Sequence, residues 1–254
     1  MTDPFGQSAY AIRMEWGPVG AVRARAAVVV VVDVLSFSTS VCIAVDRGME
    51  VYPFRWRDDG AADFALAQDA VLAVGRFESV LDPTGPLPSL SPASLLACEP
   101  HPRLVLPSPN GSTIADVAAE AGAEVVIGSL RNADAVAAWL SDRLAAGSTI
   151  ALVAAGERWE EDDSLRPALE DHLGAGAILA ALAERGHGHA MSPEACAAAD
   201  LFAAARPDLP ERLFSCVSGR ELIDAEFHAD IAAAADLSVS AVVPVLRRGA
   251  FGPG

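Results

Sequence analysis

The chain of 254 residues has no lysine; every basic side chain is an arginine. That excludes Schiff-base catalysis and a Walker A phosphate loop, since both need a lysine amine. Basic residues of any kind are scarce: 18 stand against 34 acidic ones, a formal charge of −16. Nucleic acid and anionic membrane surfaces need a basic face, so neither is expected as a partner. The only cysteines, Cys42, Cys98, Cys196 and Cys216, are scattered, with no C-x-x-C and no Cys/His ligand spacing. They read as buried, reduced thiols of a cytoplasmic protein. The first residues lack the basic segment and apolar run of a signal peptide. An apolar run such as Ala26 to Val32 is far too short to span a bilayer. There is also no G-x-S-x-G elbow.

What is present is apolar mass: 52% of residues are hydrophobic, enough for a substantial core. No Pro/Gly/Ser linker divides the chain, so residues 1–254 read as one domain. That apolar excess leaves self-association open. One construction recurs four times: an apolar strand, a loop of Ser, Thr, Asn, Gly and acid, then a helix. The copies begin at Ala27, Arg103, Glu124 and Thr149. Strands alternating with helices predict an α/β fold with a largely parallel sheet. In such a sheet, loops at the carboxyl ends of strands bind ligands, and helix N-termini there suit an anion. Outside these units, Ser8 to Glu15 reads as an edge strand and Asp82 to Pro92 as a Pro-rich loop. Gly186 to Pro193 reads as a loop too. Glu211 to Ala235 reads as helical with a break near Ala225. Ser240 to Leu246 reads as the last strand, followed by a frayed end at Gly249 to Gly254.

Asp33 is the sharpest candidate for chemistry, because a carboxylate directly after six apolar residues is costly unless it is paired or holds a metal. Its plain alternative is a helix cap. Ser36, Thr39 and Ser40 follow, able to cradle a phosphate or simply to cap. Asn110, Gly111 and Ser112 resemble an anion nest opening a helix. Ser129 and Asn132 form a similar turn, where Asn132 is equally a plain cap. Glu157 lies just past a strand end in an acidic run. Glu170 and Asp171 stand at a helix entry, where they can cap it or hold a hard cation such as Mg²⁺. His187 and His189 have no third ligand nearby and read as surface loop.

In these stretches the chain resembles the 2-phosphosulfolactate phosphatase family over nearly its whole length. The resemblance is carried by Asp33-Val34-Leu35, Asn110-Gly111, Gly128-Ser129-Leu130-Arg131-Asn132, and Ala155-Gly156 with Glu170-Asp171 and Ala175-Gly176-Ala177. Ser218-Gly219-Arg220-Glu221-Leu222 and Val242-Val243-Pro244-Val245 complete it. It implies a three-layer α/β/α fold with a largely parallel or mixed central sheet, and a Mg²⁺-dependent phosphatase that releases inorganic phosphate and 3-sulfolactate from a small anionic substrate. On that basis Asp33, Glu170 and Asp171 are expected to hold Mg²⁺. The loops containing Ser36 to Ser40, Asn110 to Ser112 and Ser129 to Asn132 would bind substrate. Arg131 or Arg158 would stabilise transition-state charge, and Glu157 would protonate the leaving oxygen. Asp33 as covalent nucleophile stays open. Two other readings also stay open: the same chemistry on a different small phosphate ester, and a non-catalytic protein binding an anionic metabolite. The chain departs from the family at Ser36, where the family has Arg, and an Arg of the 157–166 segment is expected to replace it. The family's Gly-Asn-Ser-Pro survives only as Leu90-Ser91-Pro92.

Overall fold

Five consecutive valines, Val28 to Val32, favour an extended chain, and all five are buried. Alternate residues of a strand face opposite sides. In the computed structural model, which describes residues 4–55, 59–81 and 87–254, Val28, Val30 and Val32 enter one apolar core and Val29 and Val31 another. Such a strand needs helices on both faces. One face carries helices Ala133–Ala145, Leu169–Leu182 and Pro193–Ala205; the other carries Gly17–Ala24, Phe37–Asp46 and Gly111–Glu120. The result is a three-layer α/β/α fold.

In chain order the strands are β1 (Ile12–Trp16), β2 (Val28–Val32), β3 (Glu50–Phe54), β4 (Val71–Leu72), β5 (Arg103–Pro107), β6 (Glu124–Gly128), β7 (Ile150–Ala154), β8 (Glu157–Arg158), β9 (Leu165–Arg166), β10 (Pro244–Arg247) and β11 (Ala250–Pro253). Nine of them form a sheet in the order β1-β7-β2-β6-β10-β11-β3-β5-β4, and β8 pairs with β9 apart from it. Pairing is parallel within β1-β7-β2-β6 and within β3-β5-β4. Between these blocks sits the antiparallel hairpin β10–β11, which joins β6 through Val245↔Val126 and β3 through Phe251↔Val51.

The expected frayed end is therefore wrong: Gly249 to Gly254 turns back into the middle of the sheet. Arg248 and Gly249 both take positive φ, 55° and 85°, as a two-residue hairpin turn requires. Phe251 is fully buried and meets the Phe37 ring edge-on, 6.4 Å between centroids. Other boundaries shift. The edge strand is β1, starting at Ile12. The 186–193 segment is short helical turns, Ala183–His187 and Gly188–Ala190, rather than loop. The 211–235 stretch breaks at Cys216 as well as after Asp224. Of the Pro-rich stretch, residues 82–86 lie outside those described, and Pro92 already opens the helix Pro92–Ala97, with Ser91 capping it. Among the described residues, no helix is long and apolar enough to cross a membrane.

Phe251→Ala removes a fully buried aromatic at the join between the two strand blocks. It should cost about 3–5 kcal/mol in urea denaturation. A loss under about 0.5 kcal/mol, the usual range for a surface substitution, would mean the C-terminus does not hold the sheet together.

Candidate active site

The site is built on loops after β2, β5 and β7. Asp33 sits one residue past β2 and is buried. Its Oδ1 accepts the N–H of Phe37 at 3.1 Å, so it does cap the helix Phe37–Asp46. Its Oδ2 accepts the N–H of Gly111 at 3.0 Å, which draws in the loop after β5. Only glycine fits at 111: a Cβ there would lie 2.2 Å from the Phe37 ring and 2.9 Å from Asp33 Oδ2.

Asp171 does the same for the other side. It lies inside the first turn of the helix Leu169–Leu182, where it takes the Val34 N–H on Oδ1 at 2.7 Å and the Gly156 N–H on Oδ2 at 2.8 Å. Gly156 adopts φ +69°, and a Cβ on it would come within 2.8 Å of the Arg166 carbonyl oxygen. Glu170, also buried, faces the Cys216 thiol, which burial and then the Glu170 charge push up to about 12. Glu157 Oε2 accepts from Asn110 Nδ2 at 3.1 Å, linking the β7 and β5 loops.

These carboxylates perturb one another. Burial, with the charge of Glu170 adding to it, raises Asp33 to about 6 against the pull of the Phe37 and Gly111 N–H groups and of Arg76. Burial raises Glu157 to about 7, helped by the charges of Asp33 and Glu170. Asp171 is pushed well above the usual carboxylate range, by burial first and then by Asp33 and Glu170. Perturbed acids gathered at strand ends are a physical mark of a functional site.

Several expected site residues are engaged elsewhere. Thr39 Oγ1 donates to the Val34 carbonyl at 2.7 Å and Ser40 Oγ to the Leu90 carbonyl at 2.9 Å, so both hydroxyls are spent on the backbone. Ser129 and Asn132 form a closed turn: Asn132 Oδ1 accepts the Ser129 N–H at 2.8 Å and the Ser129 hydroxyl at 3.1 Å. The Asn132 amide also donates to the carbonyls of Ile127 and Val242. Arg131 binds the Ala233 carbonyl at 2.7 Å and Asp236 at 2.8 Å, at the end of the helix His228–Ala235 and not at Asp33. Arg158 turns to the Asp163 carbonyl within its own hairpin. By contrast the Ser112 hydroxyl is buried beside Gly111 without a hydrogen-bond partner.

Among the described residues, a guanidinium that does reach the site is that of Arg76. Its Nη2 donates to Ser36 Oγ at 2.7 Å, so an Arg from the segment after β4 stands at Ser36, where one of the 157–166 segment was expected. Arg55 and Arg76, with Leu90, Ser108 and Pro109, line a cleft of about 340 Å³. Both arginines were missed from sequence. The available signal was position: Arg55 directly follows β3, and Arg76 follows the Ala70–Gly75 stretch that reads as a strand.

The donor set suits Mg²⁺ only in part. Asp33 and Asp171 each accept backbone N–H groups on both oxygens, which leaves only the second lone pair of each oxygen for a cation. Among the described residues no group of three or more His, Cys, Asp or Glu is placed to hold a metal ion. Glu170, with Asp33 and Asp171 beside it, suits a hydrated ion bound through one or two carboxylates, the usual Mg²⁺ arrangement. All three are buried, and the charge of Glu170 makes Asp33 and Asp171 harder to ionise.

Fold and site together define an α/β protein with an acidic strand-end centre beside an arginine-lined cleft. The family model for 2-phosphosulpholactate phosphatase matches residues 20–249, and the chain belongs to that family. No curated protein matches the chain.

The raised acids set a sign for pH dependence. Folded Asp33 and Glu157 titrate near 6 and 7, against ordinary values of 3.8 and 4.5. The folded state therefore binds more protons between about pH 4 and 7, and stability falls as pH rises through that window. Asp33→Asn should flatten the fall by on the order of 1–3 kcal/mol, read as Tm against pH in metal-free buffer. The slope carries the test, since the Asn amide accepts only one of the two N–H groups. An unchanged slope would remove Asp33 from the acid cluster.

Proposed function

We propose that this protein hydrolyses a small phosphomonoester that carries further acid groups. The favoured substrate is 2-phosphosulfolactate, and the products are 3-sulfolactate and inorganic phosphate, with Mg²⁺ required. The observation that carries the reading is Asp33, held by N–H groups from two loops and facing Glu157 and Glu170 at the strand ends.

In this reading the phosphoryl group sits against Asp33, the opening of the helix Gly111–Glu120 and the partnerless Ser112 hydroxyl. Backbone N–H groups at such a helix start favour an anion. Mg²⁺ would be held by Asp33 and Glu170, and the chemistry it supplies when bound is charge neutralisation at the phosphoryl oxygens. Both Asp33 oxygens already accept N–H groups, which favours a fixed carboxylate and water as the nucleophile. Water adds to phosphorus as the ester P–O bond breaks. Glu157, raised to about 7 and so half protonated near neutrality, gives its proton to the leaving oxygen. The released phosphate carries the water's protons and returns one to Glu157.

Phosphate release from racemic 2-phosphosulfolactate, with Mg²⁺ and with excess EDTA, tests the reaction. Turnover that EDTA abolishes is the expected outcome; no release by folded protein with Mg²⁺ present would sink it. Glu157→Gln should lower kcat by roughly 10²- to 10⁴-fold, the usual worth of a general acid, with little change in KM. A rate within twofold of the parent would take the proton donation away from Glu157.

A further inference from the structure

We propose that Arg76 reads a second acid group on the substrate, and that the buried Asp230 positions it for that task. The inference rests on the phosphatase reading above and names the residue that sets its substrate class.

Arg76 spans the Asp33 loop and the cleft. Its Nη2 bonds Ser36, three residues after Asp33, and its side chain lines the cleft wall with Arg55. Behind it lies Asp230, about 1% exposed, whose Oδ2 is 3.4 Å from Arg76 Nε. That is ion-pair distance, yet the two groups are misaligned: neither Arg76 Nε nor Asp230 Oδ2 has a hydrogen-bond partner. Asp230 itself is fixed. Its Oδ1 accepts the Ala93 N–H at 3.0 Å and the Ser91 hydroxyl, both at the start of the helix Pro92–Ala97. The Phe227 ring lies 5.9 Å from the guanidinium carbon.

Buried polar atoms left without partners need a reason. Here a second ligand supplies one. A guanidinium has five N–H donors in a rigid fork, and the Ser36 bond and the Asp230 contact occupy two of them. A carboxylate or sulfonate can take two of the others side by side. Binding at that outer edge turns the fork and brings Nε–H into line with Asp230. Arg55 is less suited to this role, because it already holds Asp116 at 2.8 Å and Glu120 at 3.6 Å. The phosphoryl group then lies at Asp33 and the second acid group at Arg76, with Ser36 between them.

The test compares three esters: 2-phosphosulfolactate, 2-phospholactate and isopropyl phosphate, which carry two, one and no further acid groups. Arg76→Gln should lower kcat/KM for 2-phosphosulfolactate by roughly 10- to 100-fold more than for isopropyl phosphate, mainly through KM. Arg76→Lys, which keeps the charge and loses the fork, should fall between. Asp230→Asn should cut the same selectivity several-fold while kcat at saturation stays within twofold, although Asp230 never touches the ligand. If 2-phospholactate shows the full effect, the second group is the carboxylate; if only 2-phosphosulfolactate does, it is the sulfonate. Equal losses on all three esters, or no loss, would overturn the assignment. Should the parent protein hydrolyse none of them, the phosphatase reading fails, and calorimetry with 3-sulfolactate decides the inference alone. Binding that Arg76→Gln weakens at least tenfold retains it. Equal binding by both proteins, or none by the parent, rejects it.

Discussion

Two buried carboxylates hold the strand-end loops together by accepting backbone N–H groups from segments far apart in sequence. Asp33 joins Phe37 to Gly111, and Asp171 joins Val34 to Gly156. Each bond satisfies a donor that would otherwise be buried and orphaned near the start of a helix or in a tight turn. Burial first, and then the charge of Glu170, makes Asp33 and Asp171 harder to ionise than ordinary carboxylates, against the pull of those same N–H groups. A structural clamp and the candidate site are thus one arrangement. Asp171 serves mainly as the clamp, whereas Asp33 stands where loops after β2 and β5 meet.

The second dependency is the hairpin β10–β11. Parallel strands joined by helices build two separate blocks here, and neither block pairs directly with the other. The hairpin supplies the missing antiparallel rungs and buries Phe251 against Phe37 in the helix that Asp33 caps. The end of the chain therefore braces the helix on which the candidate site is built.

Much of this was readable in the residues. Five valines in a row announce a strand covered on both faces, and the repeated strand–loop–helix pattern announces the layers. Asp33 was legible because a charge at the end of an apolar run is locally out of place, Glu157 because it lies just past a strand end, and Gly111, Glu170 and Asp171 because they stand at helix entries. The hairpin was not legible, since Arg248-Gly249 followed by three apolar or small residues looks the same whether it frays or pairs. Arg131, Thr39, Ser40, Ser129 and Asn132 were read toward the ligand because their residue types suit one. Their partners turned out to be carbonyls and side chains brought near by folding, such as Ala233, Leu90 and Val242.

Arg76 shows the boundary most clearly. Local sequence determines which residues are strand, helix and loop, because periodicity, β-branching and turn residues act over a few positions. It also determined the family, through short motifs kept in order over residues 20–249. Which guanidinium stands over Ser36 was decided only by tertiary structure. That contact joins positions 40 residues apart, and the Asp230 behind it comes from a third segment. A long flexible side chain can reach many places, and burial, a fixed carboxylate and a neighbouring hydroxyl select one of them only once the chain has folded.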